Sequence, residues 1–186
     1  MTGSEVGVLR DFLRLDDPKS PLFGRYVHEI KLDRFTPEQS MEFLRRGFSE
    51  LGMSVSDDEL SEVVKYVNGI PGWLTLYGHY RGVVGLGHRE ALAKVFDLGT
   101  KLVMEELSKV IAPSRRRYLA ILEAVTHGMS RWSQIKTYVT AKTGPITDRR
   151  FTDLLTKLVK YSILEKKNNK YKITDPMTQH ALKHLS

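Results

Sequence analysis

The chain has 186 residues, 41% of them apolar, and contains no cysteine; one large or two small domains can each bury a core, and neither a disulfide framework nor a thiolate metal site can form. No apolar run approaches a membrane span, and the first residues lack the basic start and apolar block of a signal peptide, so a cytoplasmic location is the default. The net charge of +7 is unevenly divided: residues 1–111 hold 14 Lys+Arg against 17 Asp+Glu, net −3, and residues 112–186 hold 15 against 5, net +10. A basic half of this kind usually faces phosphate; a solvated surface without a partner is the plainer alternative. The absence of Cys, with Asn and Gln scarce beside Lys, Arg and Glu, leans towards a thermophile.

Residues 4–15 read as a short helix with Val8, Leu9, Phe12 and Leu13 on one face and Ser4 as its N-cap. "DDPKSP" breaks the chain, and residues 25–32, "RYVHEIKL", alternate as a strand. Thr36 with Gln39 forms a capping box, Pro37 takes the first helical position, and Met41, Phe43, Leu44, Phe48 and Leu51 form an apolar face. Ser56 with Glu59 predicts a second capping box, opening a helix with Leu60, Val63, Val64 and Val67 inward and Gly69 at its close. A further helix starts near Pro71. A longer one spans 88–111, with Leu92, Val95, Phe96, Leu98, Leu102, Val103, Leu107 and Val110 on its apolar side. Pro113 ends it where the charge changes sign.

Beyond Pro113 the pattern is helix, helix, helix, hairpin, helix. Residues 115–127 bury Tyr118, Leu119, Ile121, Leu122 and Val125. Residues 131–141 follow, with Ser130 as N-cap and Trp132, Ile135 and Val139 inward. Thr147 caps a helix over 148–162 whose inner face is Phe151, Leu154, Leu155, Leu158 and Val159. Residues 163–166 and 171–173 then flank Asn168-Asn169, a pair that tolerates positive φ and suits a tight hairpin turn. Asp175-Pro176 starts a terminal helix. His180 and His184 are four apart on it, a spacing able to hold a metal; with no third ligand nearby they read as surface residues.

Three helices and a hairpin in about 60 residues outline a winged helix-turn-helix domain, in which the third helix enters the DNA major groove and the hairpin lies along the backbone. Arg149 and Arg150 are the candidates for base readout, because arginine forks onto guanine O6 and N7. Thr156, Lys157 and Lys160 suit phosphate. Lys166, Lys167 and Lys170 on the hairpin, and Arg115, Arg116 and Arg117 at the start of the first helix, are the further basic clusters. The partner expected is double-stranded DNA.

The first half carries no P-loop and no G-x-G-x-x-G turn. Its motifs are nevertheless ordered: "GSEVGVLRDFL", "SPLFGR", a strand, "LDRFTPEQSMEFL", then "VNGIPGWL". In this order they resemble the second half of the archaeal P-loop ATPases, in the signal-transducing branch related to AAA+ proteins. The resemblance implies a mainly α chain: residues 1–35 as the tail of a nucleotide-binding domain, 36–111 as a helical lid, and 112–186 as a winged helix. It also implies parent-protein roles: Ser4 near the bound phosphates, Gly69 and Pro71 near the adenine, and Arg25 as a phosphate or intersubunit contact. Any oligomer would form through the ATPase part. ATP and magnesium would be held with the help of an upstream P-loop domain, and this chain alone is expected to hold no cofactor or metal and to be inactive. The residues by themselves also read more plainly, Gly69 as a helix stop, Pro71 as a helix start and Arg25 as the first residue of an exposed strand. Two other functions stay open: a protein-contact module that gates ATP hydrolysis without touching DNA, and a small stand-alone DNA-binding regulator.

Overall fold

The structure is a computed structural model that describes residues 13–14, 17–26, 28 and 33–183. The expected helix over 4–15, with Ser4, falls mostly outside the described residues, as do most of the expected strand over 25–32 and His184. The chain divides into two compact units, one made of Leu32–Glu106 with Asp175–Leu185, the other built on Leu107–Thr174.

The first unit is a helical bundle: α1 (Pro37–Glu50), α2 (Asp57–Val67), α3 (Pro71–Gly78) with a π-helical turn at His79–Val83, and α4 (His88–Ile111), whose last turn belongs to the other unit. The helices start where their caps dictate. Thr36 and Gln39 exchange both hydrogen bonds of a capping box, at 3.2 and 2.9 Å, and Pro37 stands at the first helical position. At α2 only half the box forms. Ser56 Oγ accepts the Glu59 amide at 3.3 Å, but the Glu59 carboxylate turns away from the cap. It accepts from Tyr77 OH at 2.7 Å and from Arg81 Nε at 2.8 Å. His88 closes the cluster, with Nδ1 2.8 Å from Tyr77 OH and Nε2 3.1 Å from Glu62 Oε2. This cluster ties α2, α3 and the start of α4 together across the π-helical turn. Burial pulls the Glu59 carboxyl upward, yet the hydrogen bonds from Arg81 and Tyr77 outweigh it and hold the group below the usual carboxylate range. Burial, then the Glu59 hydrogen bond, push the Tyr77 phenol far above its ordinary value.

The bundle core is Leu44, Phe48, Leu60, Val63, Val67, Leu74, Tyr77 and Val95, joined by Met177. Phe43 and Leu51, expected inside, are 38% and 48% exposed, and Leu102 is 45% exposed. Phe43 lies off the line of the buried Ser40, Leu44 and Phe48, and Leu51 is already the C-cap of α1. Gly69 follows the left-handed cap Asn68, itself adopts φ +68°, and is buried. Its carbonyl accepts the Phe35 amide at 2.9 Å, and a Cβ there would lie 2.1 Å from the Phe35 carbonyl oxygen. Glycine is therefore required twice, by conformation and by space.

The second unit is a winged helix. A 3-10 turn, Ala112–Ser114, carries Pro113 and leads into α5 (Arg115–Thr126), α6 (Trp132–Thr143) and α7 (Asp148–Lys160), then β1 (Leu164–Lys167) and β2 (Lys170–Ile173). Its core is Tyr118, Ile121, Leu122, Ile135, Val139, Phe151, Leu155 and Leu158, closed by Leu164, Tyr171 and Ile173 from the hairpin. The strands pair antiparallel with Lys167 opposite Lys170, so Asn168 and Asn169 make a two-residue turn. Their φ values, +50° and +57°, are those a type I′ turn needs. Arg131, not Ser130, is the N-cap of α6. The reason is a third pairing: Arg131 bridges to Lys170, and the Ser130 carbonyl accepts the Tyr171 amide at 2.8 Å, so both residues are extended beside the wing.

The terminal helix α8 (Pro176–Lys183) belongs to the bundle and not to the winged helix. Asp175 caps it, accepting the Met177 amide and the Thr178 hydroxyl, each at 3.1 Å. Met177 enters the bundle core, and the ring of His180 packs on Phe96 with centroids 5.1 Å apart. The extent 112–186 expected for the winged helix therefore shortens at its far end, because the apolar face of α8 is satisfied elsewhere. Among the described residues no helix is long and apolar enough to cross a membrane, and no cluster of side chains is suited to hold a metal.

Candidate nucleic-acid interface

Thr147 opens α7 by accepting the Arg150 amide at 3.4 Å. Phe151, Leu154, Leu155 and Leu158 form its buried stripe. At about 3.6 residues per turn, the opposite side carries Arg149, Asp153, Thr156 and Lys160, all exposed. The flanks differ. On one, Thr152 accepts from Trp132 Nε1 at 3.1 Å and Asp148 is paired with Lys136. On the other, the Lys157 ammonium lies 6.0 Å from the Tyr118 ring and 5.8 Å from that of Tyr161. Arg150 is on this flank too: burial raises the Tyr118 phenol, and the charge of Arg150 acts on it in the opposite sense. The residues expected to read DNA thus separate into Arg149, Thr156 and Lys160 facing directly outward, with Arg150 and Lys157 turned towards α5.

The arginines at the start of α5 have definite structural work. Arg116 Nη2 donates to the Lys142 carbonyl at 3.0 Å, satisfying a group left over at the end of α6. Arg117 Nη2 donates to the Pro145 carbonyl at 3.2 Å, in the loop that leads to α7. Both brace the turn that positions α7. Arg115 is exposed. The Lys142 ammonium is engaged by Glu123, whose carboxyl it holds below the usual range.

The hairpin alternates as well. Lys166 shares a face with Leu164, Tyr171 and Ile173, and its ammonium lies 5.6 Å from the Tyr171 ring. Lys167, Lys170 and Lys172 are on the other face, where Lys172 pairs with Glu165 at 3.1 Å. Arg131, Ser133, Lys166, Asn168, Asn169 and Lys170 line an open cleft between the wing and the start of α6. Cationic and amide donors in such number suit phosphate oxygens. Arg131 is not a candidate from the sequence, since only its pairing with Lys170, 39 positions on, brings it to the wing.

The positions that the resemblance ties to nucleotide in a longer parent protein have local roles in this fold. Gly69 is occupied in seating Phe35, Pro71 stands at the first position of α3, and Arg25 is an exposed turn residue whose amide donates to the Leu22 carbonyl at 3.1 Å. The sequence holds no P-loop to join them.

Residues 113–174 match the family of MCM protein C-terminal winged helix-turn-helix domains. No curated protein matches the chain. Among solved structures, the Walker-type ATPase PABY2304 of Pyrococcus abyssi superposes with a TM-score of 0.84 at 37% identity, over 98% of this chain and 51% of that one. The chain therefore spans about half the length of the ATPase it is similar to, and it combines a helical bundle with a winged helix similar to the MCM C-terminal domains.

Proposed function

We propose that the winged helix binds double-stranded DNA, with α7 in the major groove and the wing on the phosphate backbone. One observation carries the reading. Glu123, Asp148 and Glu165, three of the five carboxylates in residues 112–186, are engaged by Lys142, Lys136 and Lys172. Among the described residues, Arg149, Arg150, Lys167 and Lys170 meet no carboxylate at ion-pair distance. An excess of uncompensated cations on a recognition helix and wing favours a polyanion and the release of its counterions. The bundle is read as the lid of a longer ATPase of the archaeal, AAA+-related kind, through which ATP state would act on the winged helix.

Anisotropy titrations of the 186-residue chain with labelled duplexes test the reading. Replacing Lys166, Lys167 and Lys170 by Ala should weaken binding to all duplexes alike. The slope of log affinity against log salt should become shallower by about 0.9 for each phosphate that is no longer neutralised. Arg149→Ala should instead cost about 1–3 kcal/mol on a preferred site and much less on random DNA. A wild-type chain that leaves duplexes unbound at moderate salt removes the DNA reading and favours a protein-contact module. The same sample is expected to show no magnesium-dependent ATP turnover above background.

A further inference from the structure

Residues 112–174 hold four carboxylates: Glu123, Asp148, Asp153 and Glu165. Lysines engage three of them, Lys142 at Glu123, Lys136 at Asp148 and Lys172 at Glu165. Among the described residues Asp153 is the exception. It is exposed in the second turn of α7, on the side that carries Arg149 and Thr156, and it meets no cation at ion-pair distance. Partners are close in sequence, since residues four apart are neighbours on a helix. Arg149 precedes it by four positions and Lys157 follows it by four, yet the Lys157 ammonium lies near the rings of Tyr118 and Tyr161 instead. A lone carboxylate is costly on a surface that faces phosphate, because it repels the backbone and adds nothing to counterion release. Against a duplex its favourable place is a base edge, where Asp accepts from cytosine N4 in the major groove.

We propose that Asp153 is a specificity-determining residue of α7, accepting a hydrogen bond from the N4 amino group of a cytosine close to a guanine read by Arg149. Four residues of helix rise about 6 Å, against about 3.4 Å for each base pair. The two side chains are therefore spaced for base pairs one or about two steps apart. The carboxylate also selects against the other bases. Guanine and thymine offer it only acceptors in the major groove, and the adenine N6 donor sits beside the N7 acceptor, a pair that suits an amide better than a carboxylate. Asp153 thus weakens binding everywhere by repulsion and is compensated only where a cytosine is presented, which is how a repulsive group creates specificity. The inference rests on the DNA reading proposed above and adds to it the base edges that α7 prefers.

Selection from a pool of random duplexes, then anisotropy titrations of the 186-residue chain on the recovered site and its single-base variants, tests this. The wild type should prefer cytosine at one position, with a preferred guanine within about two base pairs of it. Replacing that cytosine should weaken binding about 5- to 100-fold. Asp153→Ala should abolish the cytosine preference, keep the guanine preference and tighten binding to random duplexes. Asp153→Asn should move the preference at that position to adenine, because an amide pairs with N6 and N7. Arg149→Ala should do the reverse of Asp153→Ala, losing the guanine and keeping the cytosine. Both positions are exposed, so the variants should melt like wild type. If the two Asp153 variants tighten all duplexes alike and leave the base preferences as they were, the carboxylate only repels phosphate and the proposal is overturned. A wild type that binds duplex without any base preference overturns it too, while the phosphate contacts of the wing stand. A wild type that binds no duplex removes the DNA reading itself, and the proposal falls with it.

Discussion

The two units put charge to opposite uses. In the bundle, Glu59, Arg81, His88 and Glu62 turn onto one another and onto a buried tyrosine, and hold three helices together. In the winged helix the ion pairs lie between α5 and α6, at one flank of α7 and on the ribbon, and Arg149, Lys167 and Lys170 are exposed without a carboxylate at ion-pair distance among the described residues. Net charge alone separates the halves but does not explain this. What differs is whether a cation's partner is supplied by the chain. A satisfied buried network rigidifies a core, whereas an unsatisfied exposed one provides affinity for a polyanion.

Several substitutions can break or sharpen that contrast. The largest effect is expected from Phe151→Ala, which empties a fully buried site in the winged helix. It should cost about 3–5 kcal/mol, and hydrogen exchange should rise across α5–α7 while the bundle core stays protected. A loss of protection spread evenly over both units would mean that they are not separate cooperative bodies. In the bundle, Gly69→Ala meets both a positive φ and the Phe35 carbonyl oxygen. Its cost should exceed ~1 kcal/mol in denaturant unfolding, and a neutral result would refute the close approach.

Glu59→Gln tests the internal network through pH. The folded-state pKa of Glu59 is lowered, so its stabilisation is complete above the ordinary value of 4.5 and is lost as pH falls through the folded value. The variant should therefore be less stable than wild type at neutral pH, by about 1.5–3 kcal/mol for a charged hydrogen-bonding group. The gap should close on acidification below 4.5. A gap independent of pH would show that the carboxylate charge is not what matters. The smallest effect is expected at the wing turn, where Asn169→Gly keeps the left-handed conformation. Glycine is favoured there in a type I′ turn, and thermal melts should change by only a few tenths of a kcal/mol, without any change in DNA affinity.

Much of the architecture is local and readable from the sequence. Thr36, Gln39 and Thr147 start helices because a side-chain oxygen at a fixed offset meets a free amide. Asn168-Asn169 turns the ribbon because both residues tolerate positive φ, and the stripe at Phe151, Leu154, Leu155 and Leu158 declares the buried side of α7. Three helices and a hairpin in that order already imply the winged helix. Tertiary structure alone decided the rest, wherever one side chain had a choice of partners. Glu59 left its capping box for Tyr77 and Arg81, Ser130 gave up the cap of α6 to pair with the wing, and Arg116 and Arg117 took carbonyls of the α6–α7 turn instead of standing free. The helix after the wing went to the bundle, because Trp73 and the notch at Gly99 offered Asp175 and Met177 a seat. Periodicity and caps act over three or four residues, while these choices depend on groups 18 to 102 positions apart, which only the folded chain brings within hydrogen-bonding distance.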